Sequence, residues 1–386
     1  MLKDLFLLDP QVVYLNHGSF GACPRPVFET YQVWQRKLEQ QPVQFLGADF
    51  ERYLHESRQV LAEYLHASVE DLVYVPNATH GVNIIARSLD LEPGDEILAT
   101  DQEYGACDLV WKFICQEMST VYRQQAINLP ATSEEKIIAQ LWQGITPHTK
   151  VIFLSHITSP TALTMPVTQI CERARAAGIL TVIDGAHAPG QIELDLPALQ
   201  ADFYTGNCHK WMMSPKGAGF LYARSEVQHL IEPLIVSWGY HSNFNPPRES
   251  TFIDFLQWSG TRDPSAALSV PAAIAFMNEY HWEDVRIKCH QLIHEAIDRV
   301  CDLTGLSPLY PLDSNLYQQM GTFPIPKMRD LNELKNKLYE EYKIEIPCIE
   351  WNGQHYIRLS IQGYNSKADI DQLVHALVRL IPALKA

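Results

Sequence analysis

Near its middle the chain reads Phe203-Tyr204-Thr205-Gly206-Asn207-Cys208-His209-Lys210-Trp211-Met212-Met213-Ser214-Pro215-Lys216-Gly217-Ala218-Gly219-Phe220. Here the amine of Lys210 follows the imidazole of His209, and Pro215 with the glycines after it predicts a sharp turn before an apolar strand resumes. A lysine amine attacks an aldehyde only when it loses its proton easily, and burial or nearby positive charge lowers its pKa accordingly. The stretch therefore indicates Schiff-base chemistry at Lys210. The alternative is an exposed His-Lys dipeptide before an ordinary loop, because two-residue motifs are common.

A second chemical group comes from an apolar run just upstream, Val182-Ile183-Asp184-Gly185-Ala186-His187. The run predicts a buried parallel strand that carries Asp184 at its carboxyl end. Open α/β sheets bind ligands at the carboxyl ends of such strands. A carboxylate at that place can pair with the protonated nitrogen of a pyridine ring, which turns the ring into an electron sink.

Three short patterns carry a resemblance to a known family: Asp184-x-x-His187, His209-Lys210 and Pro215-Lys216-Gly217-x-Gly219. Together they resemble the pyridoxal 5'-phosphate (PLP) enzymes of fold type I, in the class V aminotransferase family. Nearly the whole chain fits that family, and it is most similar to isopenicillin N epimerase-like proteins, with cysteine desulfurases, cysteine C-S lyases and kynureninases as cousins. The resemblance implies that PLP is the cofactor, joined to Lys210 and held at its ring nitrogen by Asp184.

The order of the elements predicts the fold class. Strand and helix patterns alternate through the first half of the chain, which predicts an α/β protein with a mainly parallel sheet covered on both faces. The resemblance implies the fold of type I PLP-dependent transferases, with a seven-stranded, mainly parallel sheet between helices and a smaller C-terminal α/β domain. We expect the large PLP-binding domain at residues 16–262 and the small domain at residues 1–15 and 263–386.

The composition bounds the class of partner. With 386 residues, 46% of them hydrophobic and 19% charged, the chain can bury a large core and is not expected to be disordered. A net charge of -15 without a basic block excludes nucleic acid as a partner, because a phosphate backbone would find no positive surface. The same charge repels an anionic cofactor, so local donors must hold it.

Cysteine spacing and hydropathy indicate in which cellular compartment the protein is expected. The eight cysteines form no C-x-x-C pair, so neither a zinc site nor a disulfide framework is indicated, and no metal is expected. No apolar run approaches the roughly 18 residues of a membrane span, and the N-terminus lacks a signal-peptide pattern. We therefore expect a cytoplasmic protein without a membrane partner.

A candidate phosphate site follows an early strand. The strand pattern Asp71 to Pro76 leads into Asn77-Ala78-Thr79-His80-Gly81, which precedes an amphipathic helical run. Unpaired backbone N–H groups and the positive end of the helix dipole converge at such a helix start, which predicts an anion site. The alternative is an ordinary helix cap made by Asn and Thr. The resemblance favours the phosphate site and assigns it to Ala78, Thr79 and His80.

The remaining cofactor contacts follow from the resemblance alone. Tyr104 takes the place of an aromatic residue, often histidine, that stacks on the pyridine ring. Ser159 takes the place of an asparagine that binds the ring hydroxyl in cysteine desulfurases, and His187 approaches the same hydroxyl. Asn207 and His209 donate to the phosphate.

The resemblance also implies a homodimer with shared active sites. In related dimers, a Gly-Thr pair completes the phosphate site of the neighbouring subunit, and Gly260-Thr261 matches that pair here. The alternative for Thr261 is a helix N-terminal turn, which Pro264 also favours.

Two places in the chain are candidates for substrate binding. Asn16, His17 and Gly18 lie in a polar loop after a short strand, and family members line the substrate pocket with the equivalent loop. Arg358 stands in the apolar strand pattern Tyr356 to Ser360, where an unpaired buried guanidinium is costly unless it meets an anion. The resemblance assigns it to the substrate carboxylate, and the alternative is a structural Arg-Glu pair.

The expected reaction begins when the freed amine of Lys210 removes the α-proton of an amino acid or small peptide. Return of the proton on the opposite face, by an acid such as Tyr104 or His17, gives the epimerisation that we expect. Transamination and C-S lysis stay open as outcomes.

A desulfurase needs a mobile cysteine, and the loop around the candidate Cys348 does not match that pattern. A noncatalytic α/β binding protein is disfavoured by the intact Asp184, His209 and Lys210.

Overall fold

The computed structural model describes residues 2–240 and 250–386. In these ranges the strands are β1 (Val13–Tyr14), β2 (Leu72–Val75), β3 (Glu96–Thr100), β4 (Val121–Gln125), β5 (Thr149–Ser155), β6 (Leu180–Gly185), β7 (Phe203–Asn207), β8 (Gly219–Ala223), β9 (Met320–Ile325), β10 (Ile344–Glu345), β11 (Cys348–Trp351) and β12 (Gln354–Ser360). The α-helices are α1 (His17–Phe20), α2 (Arg25–Gln40), α3 (Phe50–Tyr64), α4 (Ala78–Ser88), α5 (Gly105–Met118), α6 (Glu134–Trp142), α7 (Val167–Ala176), α8 (Leu196–Leu199), α9 (Thr251–Gln257), α10 (Ser265–Leu268), α11 (Val270–Glu279), α12 (Trp282–Thr304), α13 (Leu331–Tyr342) and α14 (Lys367–Leu384).

A seven-stranded sheet forms the centre of the molecule, in the order β2-β8-β7-β6-β5-β3-β4. Its strands run parallel except β8, which is antiparallel to both of its neighbours. This arrangement confirms the α/β fold with a mainly parallel sheet. Parallel strands need crossover connections, which are usually helices, and these helices cover the faces of the sheet.

The central strands are apolar on both faces because helices pack on each side. Along β5, Val151 and Phe153 pack with α4 and α5, whereas Ile152 and Leu154 belong to the larger core on the opposite face. Successive side chains of a strand point to opposite faces, so two buried faces require an unbroken apolar run. An unbroken apolar run of this kind is typical of a strand buried on both faces.

The C-terminal part of the chain builds a second, smaller unit. Strands β11, β12 and β9 form an antiparallel sheet in that order, and α12, α13 and α14 pack around it. Strand β1 pairs in parallel with β10, which joins the N-terminal segment to this unit. The pairing agrees with a small domain made of residues 1–15 and 263–386, and these boundaries stay a prediction.

Candidate active site

A pocket of about 220 Å³ lies at the carboxyl ends of β5, β6 and β7. The sheet register places Ser155 beside Asp184, and Asp184 beside Thr205, so these strands end level and open into one cavity. Residues named from the sequence that line the pocket are Ala78, Thr79, Tyr104, Ser159, Asp184, His187, Asn207, His209 and Lys210.

Lys210 lies in the turn that follows β7. Its Nζ is 3.2 Å from Nε2 of His187. Burial lowers the pKa of the Lys210 amine to about 8, the charge of Asp184 opposes this change, and the charge of Arg358 adds to it. An amine with this pKa is partly neutral at physiological pH, which suits both attack on an aldehyde and removal of a proton.

Asp184 ends β6 and is almost completely buried. Its Oδ1 accepts a hydrogen bond from the Ala186 amide (2.9 Å), and its Oδ2 accepts one from the Cys107 thiol (3.5 Å). Burial raises the pKa of this carboxyl, although the Ala186 amide and the charge of Lys210 oppose the effect. A buried carboxylate of this kind is stabilised when a positive charge enters the pocket.

His187 lies between Lys210 and the indole of Trp211. The indole Nε1–H donates to Nδ1 of His187 at 3.3 Å. Burial holds the pKa of this imidazole well below its ordinary value, and the charges of Lys210 and Arg358 add to the effect. His187 is therefore a neutral imidazole beside the candidate Schiff-base lysine. The sequence did not single out Trp211, because an indole next to a lysine has no motif of its own.

The start of α4 faces one end of the pocket. The Oδ1 of Asn77 accepts from the His80 amide at 2.9 Å, and the Oδ1 of Asn207 accepts from the Ala78 amide at 2.8 Å. Thr79 and the amide group of Asn207 remain as donors near the helix N-terminus, where the dipole favours an anion. The His80 side chain lies elsewhere, in a smaller cavity next to Arg262.

His209 has a restricted role in the structure. Its Nδ1 donates to the carbonyl oxygen of Ala218 at 3.0 Å, and burial lowers its pKa to about 4. A neutral imidazole bonded in this way keeps only an acceptor nitrogen on its other side. Donation from His209 to a phosphate therefore requires protonation of the ring, which a bound dianion would favour.

Arg358 approaches the pocket from β12. Its Nη1 donates to the carbonyl oxygen (2.8 Å) and the Oγ (3.1 Å) of Ser159, and its Nη2 donates to Oγ of Ser19 (3.0 Å). Burial lowers its pKa to about 10. In the described ranges no carboxylate pairs with this guanidinium and its Nε has no hydrogen-bond partner, which disfavours the structural Arg-Glu pair. Ser159 therefore accepts hydrogen bonds from Arg358.

The N-terminal loop reaches the pocket through residues that the sequence did not name. Asn16 donates to Glu345, and Gly18 packs where a Cβ would lie 2.8 Å from the sulfur of Met320. The residues of this loop that line the pocket are Ser19 and Phe20, while Asn16, His17 and Gly18 lie outside its lining. The one-turn helix α1 changes the direction in which successive side chains point. Its four residues are too few to give a periodic hydrophobic signal in the sequence.

His17 lies beneath the lysine turn. Its Nε2 is 3.0 Å from the carbonyl oxygen of Lys210, its Nδ1 is 3.0 Å from the hydroxyl of Tyr364, and its ring packs against Trp211. Burial lowers the pKa of His17 to about 3. This geometry makes His17 a support for the backbone of Lys210.

Tyr104 and Thr261, the remaining two site residues predicted from the sequence, differ in exposure. Tyr104 lies at the start of α5, lines the pocket and is 47% exposed, so its ring and hydroxyl are available to a ligand. Thr261 is exposed and lies outside the pocket lining of this single chain. Gly260 before it has a φ of +111°, which favours glycine at that turn.

The donor set fits PLP. Asp184 offers a buried carboxylate for the ring nitrogen, Lys210 an amine for the aldehyde, and Thr79 with the start of α4 an anion site for the phosphate. Across residues 2–240 and 250–386, no cluster of His, Cys, Asp or Glu has the geometry to hold a metal ion. No helix in these ranges has the length and hydropathy of a membrane span.

The comparisons with known proteins agree with this site. The profile of the family described as Aminotransferase class-V matches residues 13–373. Isopenicillin N epimerase of Amycolatopsis lactamdurans is 34% identical over 98% of this chain and 97% of its own. A probable chloroplastic L-cysteine desulfhydrase of Arabidopsis thaliana is 27% identical over 97% of this chain and 84% of its own.

The fold is also that of solved structures. The apo cysteine desulfurase of Thermococcus onnurineus NA1 superposes with a TM-score of 0.84, at 19% identity, over 99% of this chain and 98% of its own. Since the family profile covers most of the chain, the chain belongs to the aminotransferase class V family and is a PLP-dependent enzyme.

Proposed function

We propose that this enzyme binds an amino acid or small peptide by its carboxylate and epimerises it at the α-carbon. The observation that carries the proposal is the buried Lys210 amine, whose pKa of about 8 leaves it ready to exchange a proton inside the pocket. When PLP is bound, it supplies an electron sink that stabilises negative charge at the α-carbon. Relatives named isopenicillin N epimerase support this outcome over the others.

Arg358 is the candidate for the substrate carboxylate. Its guanidinium is buried, makes only neutral hydrogen bonds to Ser19 and Ser159 within the described ranges, and keeps Nε without a partner. A carboxylate that displaced these serines would form a charge-assisted pair, which is stronger than neutral hydrogen bonds. The pair would fix the position of the α-proton relative to Lys210.

Epimerisation needs an acid on the face opposite Lys210. Tyr104 is the better candidate, because it lines the pocket and is half-exposed. His17 is the weaker one, since its ring is fully buried outside the pocket lining and both of its nitrogens already have partners. We therefore propose Tyr104 for this role.

C-S lysis is the second candidate outcome, because relatives named as L-cysteine desulfhydrases align over most of the chain. A desulfurase route through a protein cysteine is disfavoured: all eight cysteines lie within the described ranges and none lines the pocket. Cys348 lies in β11, and burial raises its thiol pKa to about 12, which disfavours a nucleophilic thiolate.

We also propose a cytoplasmic homodimer in which Thr261 of one subunit contributes to the phosphate site of the other. The exposed position of Thr261, outside the pocket of its own chain, supports this role. The eight free cysteines are compatible with a reducing compartment.

The outcome of the reaction can be tested with substrate panels in deuterated water. An L-amino acid or small peptide that is turned over is expected to yield D-product with deuterium at the α-carbon, because the proton returns from solvent-exchanged groups. Chiral chromatography and mass spectrometry measure both properties. Pyruvate or sulfide without D-product would establish lysis, and a keto acid formed with loss of the cofactor absorbance would establish transamination.

The change Arg358→Lys is expected to raise KM about 100-fold, with a much smaller fall in kcat, because lysine keeps the charge and loses the two-pronged hydrogen bond to a carboxylate. Steady-state kinetics on any substrate that the panel identifies measures both constants. Arg224→Lys is the matched control, because Arg224 pairs with the carboxylate of Asp202 (2.6 Å) outside the pocket. An unchanged KM in Arg358→Lys would remove Arg358 from substrate binding.

A further inference from the structure

We infer that Trp211 fixes the tautomer of His187, so that this imidazole presents an N–H and never a lone pair to the amine of Lys210. Trp211 is completely buried, and its Nε1–H points at Nδ1 of His187 from 3.3 Å. An indole nitrogen is a donor only. The partner nitrogen must therefore be an acceptor, which makes Trp211 a positioning residue that acts through His187.

Ordinary donor and acceptor rules exclude the other two protonation states of His187. The Nδ1–H tautomer and the imidazolium of His187 both carry a hydrogen on Nδ1, where it would face the hydrogen of Trp211. The remaining form carries its hydrogen on Nε2. Burial disfavours the imidazolium independently, because it lowers the pKa of His187.

This tautomer of His187 determines in which protonation state Lys210 can form a hydrogen bond with it. Its Nζ lies 3.2 Å from Nε2 of His187, and an ammonium group has three donors and no acceptor. The contact is a hydrogen bond only when the amine is neutral and accepts from Nε2–H. The other groups that act on Lys210 are Asp184 and Cys107, which favour its charged form, and Arg358, which disfavours it.

The indole itself is held in place. Its ring packs against His17 at a centroid distance of 4.9 Å, and a Cβ at Gly190 would lie 2.4 Å from the Trp211 carbonyl carbon. On the other side, Gln191 donates to the carbonyl oxygen of His187 at 2.7 Å. Both partners of the Trp211–His187 bond are therefore fixed by their surroundings.

The same tautomer has a consequence for PLP, and this consequence rests on the proposed function. If His187 approaches the ring hydroxyl of the cofactor, its Nε2–H can only donate to that oxygen. A donor favours the ionised oxygen, because hydrogen bonding to a charged form stabilises it.

The test begins with the full chain prepared without cofactor and labelled with ¹⁵N histidine. Long-range ¹H–¹⁵N NMR distinguishes the protonated from the unprotonated ring nitrogen, and a His187→Gln sample assigns the His187 signals by their loss. We expect the Nε2–H tautomer at neutral pH. An Nδ1–H tautomer or an imidazolium would overturn the inference.

The second measurement compares Trp211→Phe with Trp111→Phe, which is the matched control. Trp111 is equally buried, packs against Phe153, and its Nε1 has no hydrogen-bond partner among the described residues. In Trp211→Phe we expect mixed His187 tautomers and a rise in the Lys210 pKa of about one, because a hydrogen bond to the neutral amine is no longer enforced.

The Lys210 pKa can be read without cofactor from the pH dependence of its acylation rate, followed by mass spectrometry. Trp111→Phe is expected to leave both the tautomer and this pKa unchanged. A folded Trp211→Phe with the wild-type tautomer and the wild-type pKa would overturn the inference. Both readouts need neither PLP nor substrate, so failure of the proposed epimerisation would leave them intact.

Discussion

Lys210→Ala is expected to lower turnover by about four orders of magnitude, because the variant lacks both the group that holds the cofactor and the base that takes the α-proton. The neighbouring His187 cannot replace the base, since burial lowers its pKa well below the ordinary value. The measurement is the initial rate of α-proton exchange at saturating PLP and substrate. Borohydride treatment followed by peptide mass spectrometry shows where the cofactor is attached.

The control for Lys210→Ala is Lys150→Ala. Lys150 is the exposed residue near the start of the otherwise buried strand β5, so its loss is expected to leave the rate within a factor of about two. The adduct is expected at Lys210 in wild type and in Lys150→Ala, and at no lysine in Lys210→Ala. An adduct at Lys216, which donates to the Gly21 carbonyl oxygen at 3.0 Å, would contradict the assignment.

Much of the site could be predicted from the sequence because it rests on local signals. A continuous apolar run that ends in a carboxylate predicted β6 and the place of Asp184, and a parallel sheet brings such strand ends to one edge. The polar start of α4 was predicted in the same way, from a strand followed by an Asn-capped helix. The structure brings both elements to the pocket with Lys210.

Other elements lacked a local signal. Strand β4 is an edge strand with mostly exposed, polar residues, so neither alternation nor an apolar run indicated it. Strand β9 contains Pro324, which a strand tolerates here because β9 is paired on one side only. The segment between helices α2 and α3 contains a π-helical turn at Gln44–Asp49, and such a turn has no hydrophobic period of its own that a sequence would show.

Contacts between residues that are far apart in sequence could not be predicted either, for a different reason. The hydrogen bonds from Arg358 to Ser159 and Ser19 join residues that are far apart in sequence. Glu103 is another case: it accepts from the Ser155 amide at 2.7 Å, and burial, with a smaller contribution from Asp184, raises its pKa to about 7. No pattern in one sequence reveals such pairs, because they depend on which strands become neighbours in the sheet and on how the small unit packs against it.

Asp184→Asn is expected to lower the rate per bound cofactor about 1000-fold, because an amide cannot balance the positive charge of a protonated ring nitrogen in a buried pocket. Burial raises the pKa of Asp184 in the cofactor-free chain, so its carboxylate gains the most from a positive partner. Cofactor binding is expected to weaken as well. Equilibrium dialysis gives the bound fraction, by which the measured rate is divided.

The control for Asp184→Asn is Asp202→Asn, which alters a carboxyl that is equally buried and lies outside the pocket lining. Asp202 is 4% exposed against 3% for Asp184, and it accepts from the Thr181 amide (2.8 Å) and from Arg224 (2.6 Å). Asp202→Asn is expected to lower the midpoint of thermal unfolding and to keep the rate per bound cofactor, because its partners stabilise the sheet and do not face the pocket. If both variants lost stability alike and Asp184→Asn kept its rate, Asp184 would be a structural carboxylate. The difference between the two variants thus separates the charge that the cofactor requires from the cost of disturbing a buried carboxylate.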